Sequence, residues 1–223
     1  MDEKKFCFII CTNDDIQLEE SLLYIRLLHI PDGYKTEIIT IRDAVSMTSG
    51  YNEGMRATDA KYKIYLHQDS FIVEHFFLKQ LLALFRSDKS IGMIGPLGTP
   101  RLSRDGIMWH EERCGNVYLS EQHEGSRIRL LTKGFQEVEA LDGLLIATQY
   151  DLPWREDLFQ GWHFYDISQC MEFRRNGYKI VVPGQEKNWV VHSCGVCSLW
   201  QYEADRKVLL QAYPEIAERP QGK

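Results

Sequence analysis

The sequence predicts an α/β fold, a mostly parallel central sheet flanked by helices, and three observations predict it. Residues 6–11 read FCFIIC, a continuous apolar run of the kind found in strands covered on both faces. Residues 16–28 then carry Leu18, Leu22, Leu23, Ile25 and Leu27 at helical spacing, and residues 36–41 return to strand character. That strand–helix–strand order implies a parallel pair joined by a right-handed crossover. The third observation is residues 62–70, YKIYLHQDS, a short buried strand that stops abruptly in His67-Gln68-Asp69. A strand that delivers an acid at its carboxyl end, with a helix following, puts charge at the ligand-binding edge of an α/β sheet.

The remaining elements follow in order. Residues 12–15, TNDD, have turn and N-cap chemistry, and Pro31-Asp32-Gly33 is a turn. Residues 46–60 read as a second helix weakened by Gly50 and Gly54, two glycines that point to close approach by a strand or a ligand. Residues 74–86 form a third helix with a thick apolar face (Phe77, Leu78, Leu81, Leu82, Phe85), and 91–94 a buried strand stopped by Gly95-Pro96. Periodicity fades over 97–136. This stretch is expected to be an irregular excursion with a hairpin near 116–119, functional or poorly ordered. The turn Asp142-Gly143 introduces an apolar strand within 138–147, and residues 152–162 alternate aromatic with polar. A helix over 167–176 follows Tyr165-Asp166 and closes on Gly177. Strands are expected at 178–182 and 189–192, a terminal helix at 199–213, and a frayed tail over 214–223. No repeat or linker divides the chain, so residues 1–223 are expected to form a single domain.

Composition narrows the function. At 223 residues the chain is long enough to bury a substantial core, and 44% hydrophobic with 26% charged residues is ordinary for a soluble globular protein. A net charge of -6 argues against a nucleic-acid partner, although a local basic spot would still hold a small anion. Residues 1–5 are polar and no apolar run approaches a membrane span, so a cytoplasmic location is the default expectation. The six cysteines are then expected to be thiols. Cys194 and Cys197 have C-x-x-C spacing, but no second such pair exists to close a four-thiolate zinc site. There is no G-x-x-x-x-G-K-[ST], no G-x-G-x-x-G after the first strand, no G-x-S-x-G and no H-E-x-x-H; His110-Glu111-Glu112 lacks the second histidine.

What remains is a set of features in a particular order. An early strand ends in Asn13 and Asp14. Tyr51-Asn52-Glu53-Gly54 leads into the strand ending at Asp69. Leu141-Asp142-Gly143 follows, then Gly161-Trp162-His163-Phe164-Tyr165-Asp166, and a last strand ends in His192. Over roughly residues 5 to 195 this resembles the family 2 glycosyltransferases of the GT-A fold. More narrowly, it resembles a short bacterial glycosyltransferase-like group with His-Gln-Asp at the usual Asp-x-Asp position. The resemblance implies a metal-dependent, inverting transfer of a sugar from a nucleotide-diphosphate donor, with UDP-sugars favoured, to an acceptor hydroxyl. It assigns a divalent cation, Mn2+ or Mg2+, to Asp69 with His192 as a further ligand, and the general base to Asp166. Thr12, Asn13, Asp43 and Asn52 would lie around the nucleoside, with His67-Gln68-Asp69 at the diphosphate. Asp142, Gly143, Trp162 and Tyr165 would meet the donor sugar or the acceptor, the last a glycan or lipid-linked glycan. The chemistry suits the residues, because a cation held by carboxylate and imidazole stabilises the charge that builds on a departing diphosphate.

Each residue also has a plainer reading. Asp69 would cap a helix beginning near Ile72 or Val73, and Asp166 would cap the helix over 167–176. Asn13 and Asp14 are ordinary caps, and Asp142-Gly143 is an ordinary turn pair. His192, Trp162 and Tyr165 would sit in the core, and Asn52 would bond a neighbouring loop. The sequence departs from the resembled pattern in having His67 for the first acid, Tyr165 for the Glu of a Glu-Asp pair, and Ile-Arg-Asp at the second strand end. Two other classes therefore stand beside the enzyme: a nucleotide-sugar-binding protein without catalysis, and a sugar nucleotidyltransferase.

Overall fold

The computed structural model describes residues 1–119, 128–193 and 198–218. Its first unit follows the hydrophobic pattern closely. Strand β1 (Asp2–Thr12) is buried from Phe6 onward, and α1 (Asp15–Arg26) starts where Asp14 accepts the amides of Ile16 and Gln17 at 2.9 and 3.1 Å. Strand β2 (Lys35–Arg42) pairs parallel with β1 over its whole length. Helix α2 (Met47–Arg56) opens on a capping box between Ser46 and Ser49. It ends four residues before the expected boundary, because Ala60 already begins β3 (Ala60–His67), which pairs parallel with the other side of β1.

The two glycines of α2 have a packing reason. A methyl group on Gly54 would overlap Ile9 of β1, and one on Gly50 would overlap the Cys11 thiol. The helix thus lies directly on the central strand. We expect Gly54→Ala to destabilise the protein: overpacking at about 1–3 kcal/mol exceeds the ~1 kcal/mol gain in helix propensity. A thermal melt should show a fall of about 2–4 °C.

Beyond β3 the chain departs from expectation. Asp69 caps no helix: residues Ser70–Ile72 form a strand, β4, and α3 (Phe77–Ser87) begins later, with Phe76 in the cap position. After β5 (Ile91–Ile94), the stretch expected to be irregular holds β6 (Leu97–Thr99), β7 (Arg113–Gly115), β8 (Tyr118–Leu119), β9 (Ile128–Arg129) and β10 (Phe135–Glu137). Single-strand periodicity fails there because the strands are two or three residues long. The expected hairpin near 116–119 is instead β8, which pairs parallel with a distant strand. The apolar run over 138–147 splits into β11 (Ala140–Leu141) and β12 (Leu145–Thr148), parted by the Asp142-Gly143 turn. Then come α4 (Tyr165–Arg175), β13 (Lys179–Pro183), β14 (Val190–His192) and α5 (Tyr202–Ala212). Gly177 takes the left-handed conformation after α4 (φ 80°), as a C-terminal glycine does. Pro214–Ile216 is a 3-10 turn with Ile216 buried, so the chain stays packed past the point where fraying was expected.

The main sheet has the order β10-β13-β5-β12-β3-β1-β2. Strands β2, β1, β3, β5 and β13 run one way, and β12 and β10 run against them. One core, around Phe6, Phe8, Leu78, Leu81 and Phe85, covers one face, and a second, around Tyr51, Tyr65, Trp154 and Phe173, covers the other. Lys63 of β3, fully buried, is neutralised by Asp151 at 2.8 Å and donates to the Ala60 carbonyl at 2.6 Å. A four-stranded sheet (β11-β6-β7-β9) and a three-stranded one (β4-β14-β8) stand beside the main sheet. The reversed strand β12 matters for the site, since its amino end lies at the edge where β3 ends.

Candidate active site

The site grows from the carboxyl end of β3. Gln68 turns back toward β1, where its Oε1 accepts from Thr12 Oγ1 (2.8 Å), Asn13 N (2.9 Å) and Asp14 N (3.1 Å), while its Nε2 donates to Asn13 Oδ1 (2.7 Å). Gln68, Thr12 and Asn13 are therefore a brace between two strand ends. With Gln68 committed there, His67 and Asp69 are left for the cleft.

His192 comes to them through the three-stranded sheet. Strand β14 pairs antiparallel with β4 so that His192 stands opposite Ser70, and Ser193 N donates to Asp69 O at 2.9 Å. Asp69 Oδ1 then lies 3.3 Å from His192 Nε2 and 3.9 Å from His67 Nδ1. One ligand atom from each of the three residues lies within 4.8 Å of the others. Asp69 Oδ1 is buried yet accepts no hydrogen bond of good geometry. A carboxylate oxygen left without a donor between two imidazoles fits a cation better than it fits a packed core. The other nitrogen of His67, Nε2, is hydrogen-bonded to the Tyr165 hydroxyl, which fixes the ring and leaves Nδ1 toward Asp69.

The electrostatics agree with the geometry. Burial lowers the pKa of His67, and the neighbouring His192 lowers it further against Asp69 and Asp142. Burial also pulls on His192, but the close approach of the Asp69 carboxylate and its charge win, and the pKa of His192 is raised. Burial raises Asp69, and the two histidines overcome it, so its carboxyl titrates below the usual range.

Asp166 stands in the first turn of α4. The residue that opens this helix is Phe164, held at a left-handed φ of 59°, so Asp166 lies two positions past the cap. Its Oδ1 accepts from Ile167 N (2.8 Å) and its Oδ2 from Gly143 N (3.1 Å). Burial and then the Asp142 charge push its pKa up to about 7, against those two amides. Asp142 itself keeps the turn role, accepting from Leu144 N at 3.1 Å. Gly143 is required by Tyr165, whose hydroxyl occupies the space a Cβ would need.

The other expected residues are placed differently. Asn52 is 1% exposed and closes a pair of hydrogen bonds with the Trp154 backbone, donating to its O at 2.8 Å and accepting from its N at 2.9 Å. It thereby anchors Trp154 in an aromatic floor with Tyr51, Tyr65 and Tyr165, which is the neighbouring-loop reading of this residue. Tyr165, 4% exposed, belongs to that floor, whereas Trp162 is 50% exposed. Asp43 is exposed past the end of β2 at φ 55°, two strands away from β3. Cys194 and Cys197 lie outside the described residues; Cys7, Cys11, Cys114 and Cys170 are buried free thiols. Among the described residues no helix is long and apolar enough to cross a membrane.

The sequence reading passed over Tyr202 of α5. Its ring packs on Phe164 and His163 at 4.6 and 5.2 Å, its hydroxyl is buried without a hydrogen-bond partner among the described residues, and burial and then the Asp166 charge raise its pKa. No local signal marks it, since it sits in a polar helix far along the chain.

Comparison with known proteins identifies the family and the fold. A model of a glycosyltransferase-like family matches residues 7–213. The chain belongs to that family. Its fold is that of the GT-A glycosyltransferases, as the sequence implied. Among known structures it is similar to TarS from S. aureus, residues 1–349: in complex with UDP the TM-score is 0.59 at 12% identity, covering 93% of this chain and 64% of that one. The UDP-GlcNAc complex of TarS gives 0.64 at 12% identity, with 98% and 68% covered. The mannosyltransferase PcManGT from Pyrobaculum calidifontis, with GDP-Man and Mn2+, gives 0.60 at 12% identity, with 99% and 66% covered. The chain thus spans about two thirds of the length of these proteins. No curated protein sequence matches it.

Proposed function

We propose that this glycosyltransferase-like domain transfers a sugar from a nucleotide-diphosphate donor, a UDP-sugar by preference, to an acceptor hydroxyl with inversion, and that it does so with a divalent cation. The observation that carries the reading is the His67–Asp69–His192 group, with its undonated buried carboxylate oxygen, beside an Asp166 whose pKa is near 7. His67, Asp69 and His192 would hold the cation, which when bound supplies positive charge for the departing diphosphate. Two imidazoles and one carboxylate are a softer set than the all-oxygen sites that Mg2+ prefers, so Mn2+ is the better fit. The complexes of TarS with UDP and UDP-GlcNAc, and of PcManGT with GDP-Man and Mn2+, support a nucleotide-sugar donor for this fold.

The acceptor oxygen attacks the anomeric carbon as the bond to the diphosphate breaks. Its proton passes to the Asp166 carboxylate, and the negative charge leaves on the diphosphate. A base with a pKa near the working pH combines a useful ionised fraction with proton affinity. The amides of Gly143 and Ile167 fix the carboxylate, and Tyr165 fixes His67, so both groups are oriented before substrate arrives. Trp162 offers an exposed aromatic face to a glycan acceptor.

Calorimetric titration with UDP and with GDP, each with and without Mn2+, tests the proposal. We expect UDP binding that requires Mn2+ and disappears with EDTA. A folded protein that binds neither nucleotide would overturn the donor site. Binding without any slow donor hydrolysis would leave a nucleotide-sugar-binding domain that lacks catalysis.

A further inference from the structure

We infer that the His67–Asp69–His192 group is a preassembled transition-metal site that takes its cation before any nucleotide arrives, and that the Tyr165 hydroxyl is the positioning group that readies His67 for it. The inference rests on the cation reading proposed above and deepens it. The fold itself holds all three side chains in place. His67 N donates to Leu144 O at 3.1 Å, Ser193 N donates to Asp69 O at 2.9 Å, and His192 is fixed opposite Ser70 by the pairing of β14 with β4. Asp69 Oδ1, buried and accepting no hydrogen bond, stands 3.3 Å from His192 Nε2 and 3.9 Å from His67 Nδ1. Ligand atoms about 2.0–2.2 Å from one cation stand roughly 3–4 Å apart, so these pairs need little movement to share one. The side chains of His67, Asp69 and His192 stay 24%, 22% and 14% exposed, so the group is open to an ion from solvent.

A cation that arrives with a diphosphate is held by one or two carboxylates, and phosphate and water fill its other positions. Here three protein ligands converge, and two are imidazoles. Imidazole nitrogen suits the later first-row metals, whereas Mg2+ prefers oxygen. Tyr165 supplies the orienting contact. For His67 Nδ1 to offer a lone pair, the neutral ring must carry its proton on Nε2, which then donates to the Tyr165 oxygen. That oxygen is itself held in place. It fills the space where Gly143 lacks a Cβ, and the Tyr165 ring packs on Tyr51 and Trp154 with centroids 5.9 and 6.0 Å away. Without the hydroxyl, the proton is free to move to Nδ1, on the side of Asp69, where it blocks the lone pair.

The test titrates EDTA-stripped, nucleotide-free protein with Co2+, Mn2+ and Mg2+, by calorimetry and by the visible absorption of Co2+. The parent should bind Mn2+ with a Kd below about 100 μM and Co2+ more tightly, and a roughly hundredfold excess of Mg2+ should leave the Co2+ spectrum unchanged. Tyr165→Phe keeps the ring, and should weaken Co2+ binding about 10–100-fold and alter the spectrum. In a His67→Ala background the same change should have no further effect, because the hydroxyl acts only through His67. A tyrosine that merely packs the floor would shift the melting temperature and leave Co2+ affinity and spectrum as they were. If Tyr165→Phe does not fold, Gly143→Ala, whose methyl displaces the hydroxyl, takes its place with the same expected losses. Three results overturn the inference: a nucleotide-free parent that binds none of the cations up to about 1 mM yet binds UDP with Mn2+, Mg2+ displacing Co2+ on equal terms, or equal losses from Tyr165→Phe in both backgrounds. Failure of the donor site appears separately, as a protein that loads Co2+ and binds no UDP.

Discussion

Asp166→Asn should reduce sugar transfer, or slow donor hydrolysis where water is the acceptor, by about 10²–10⁴-fold while leaving UDP affinity within a factor of two or three. The amide keeps the shape of the carboxylate and cannot accept the acceptor's proton. The parent enzyme should gain rate as pH rises through about 7, where Asp166 ionises. With Mn2+ bound the transition should lie lower, since a nearby cation favours the carboxylate. The stability effect runs the other way. The folded-state pKa of Asp166 lies above its unfolded value, so the group favours folding below about pH 4 relative to higher pH, and this contribution is lost as pH rises through about 7. Without metal, Asp166→Asn should therefore melt above the parent at pH 8 and nearer to it at pH 5. A variant with full activity would remove Asp166 from the base role. A variant inactive and less stable at pH 8 would assign it to structure instead.

Asp69→Ala should abolish the Mn2+ dependence of UDP binding. Asp69 Oδ1 stands between His67 and His192, 3.9 and 3.3 Å away, and is the one anionic ligand atom of the group. Substitutions of outer partners of metal ligands typically cost 10–100-fold in affinity, so losing a ligand itself should cost at least about 100-fold. Calorimetric titration of Mn2+ in the presence of UDP measures this directly. The fold should survive, because Asp69 lies in the turn after β3 and caps no helix. Loss of the Asp69 charge should also return the His192 pKa toward its ordinary value, visible as an earlier deprotonation in a metal-free NMR titration. UDP binding that stays Mn2+-dependent in this variant would place the cation elsewhere.

Much of the site was legible because it hangs on local signals. Asp69 follows a run of buried strand residues, and Asp14 has the chemistry of a cap at the end of another. Asp166 stands next to a periodic helix. Gly50 and Gly54 interrupt a helical pattern, and that interruption alone indicated close contact. The small strands between Leu97 and Glu137 were not legible, since two or three residues give no period to read, and their pairing is set by partners elsewhere in the chain. For the same reason the pairing of Tyr118–Leu119 with β14 was read as a hairpin.

The sequence by itself determined an α/β chain whose strands β1, β2 and β3 deliver polar residues to one edge, because burial on both faces and helical periodicity are properties of short stretches. Tertiary structure decided which of those residues meet. His192 reaches Asp69 only through the pairing of β14 with β4, and Gly143 reaches Asp166 only because the reversed strand β12 brings its turn to the same edge. The near-neutral pKa of Asp166 arises from burial and from the Asp142 charge. Desolvation and Coulomb energy depend on distance in space, and only the folded chain sets those distances.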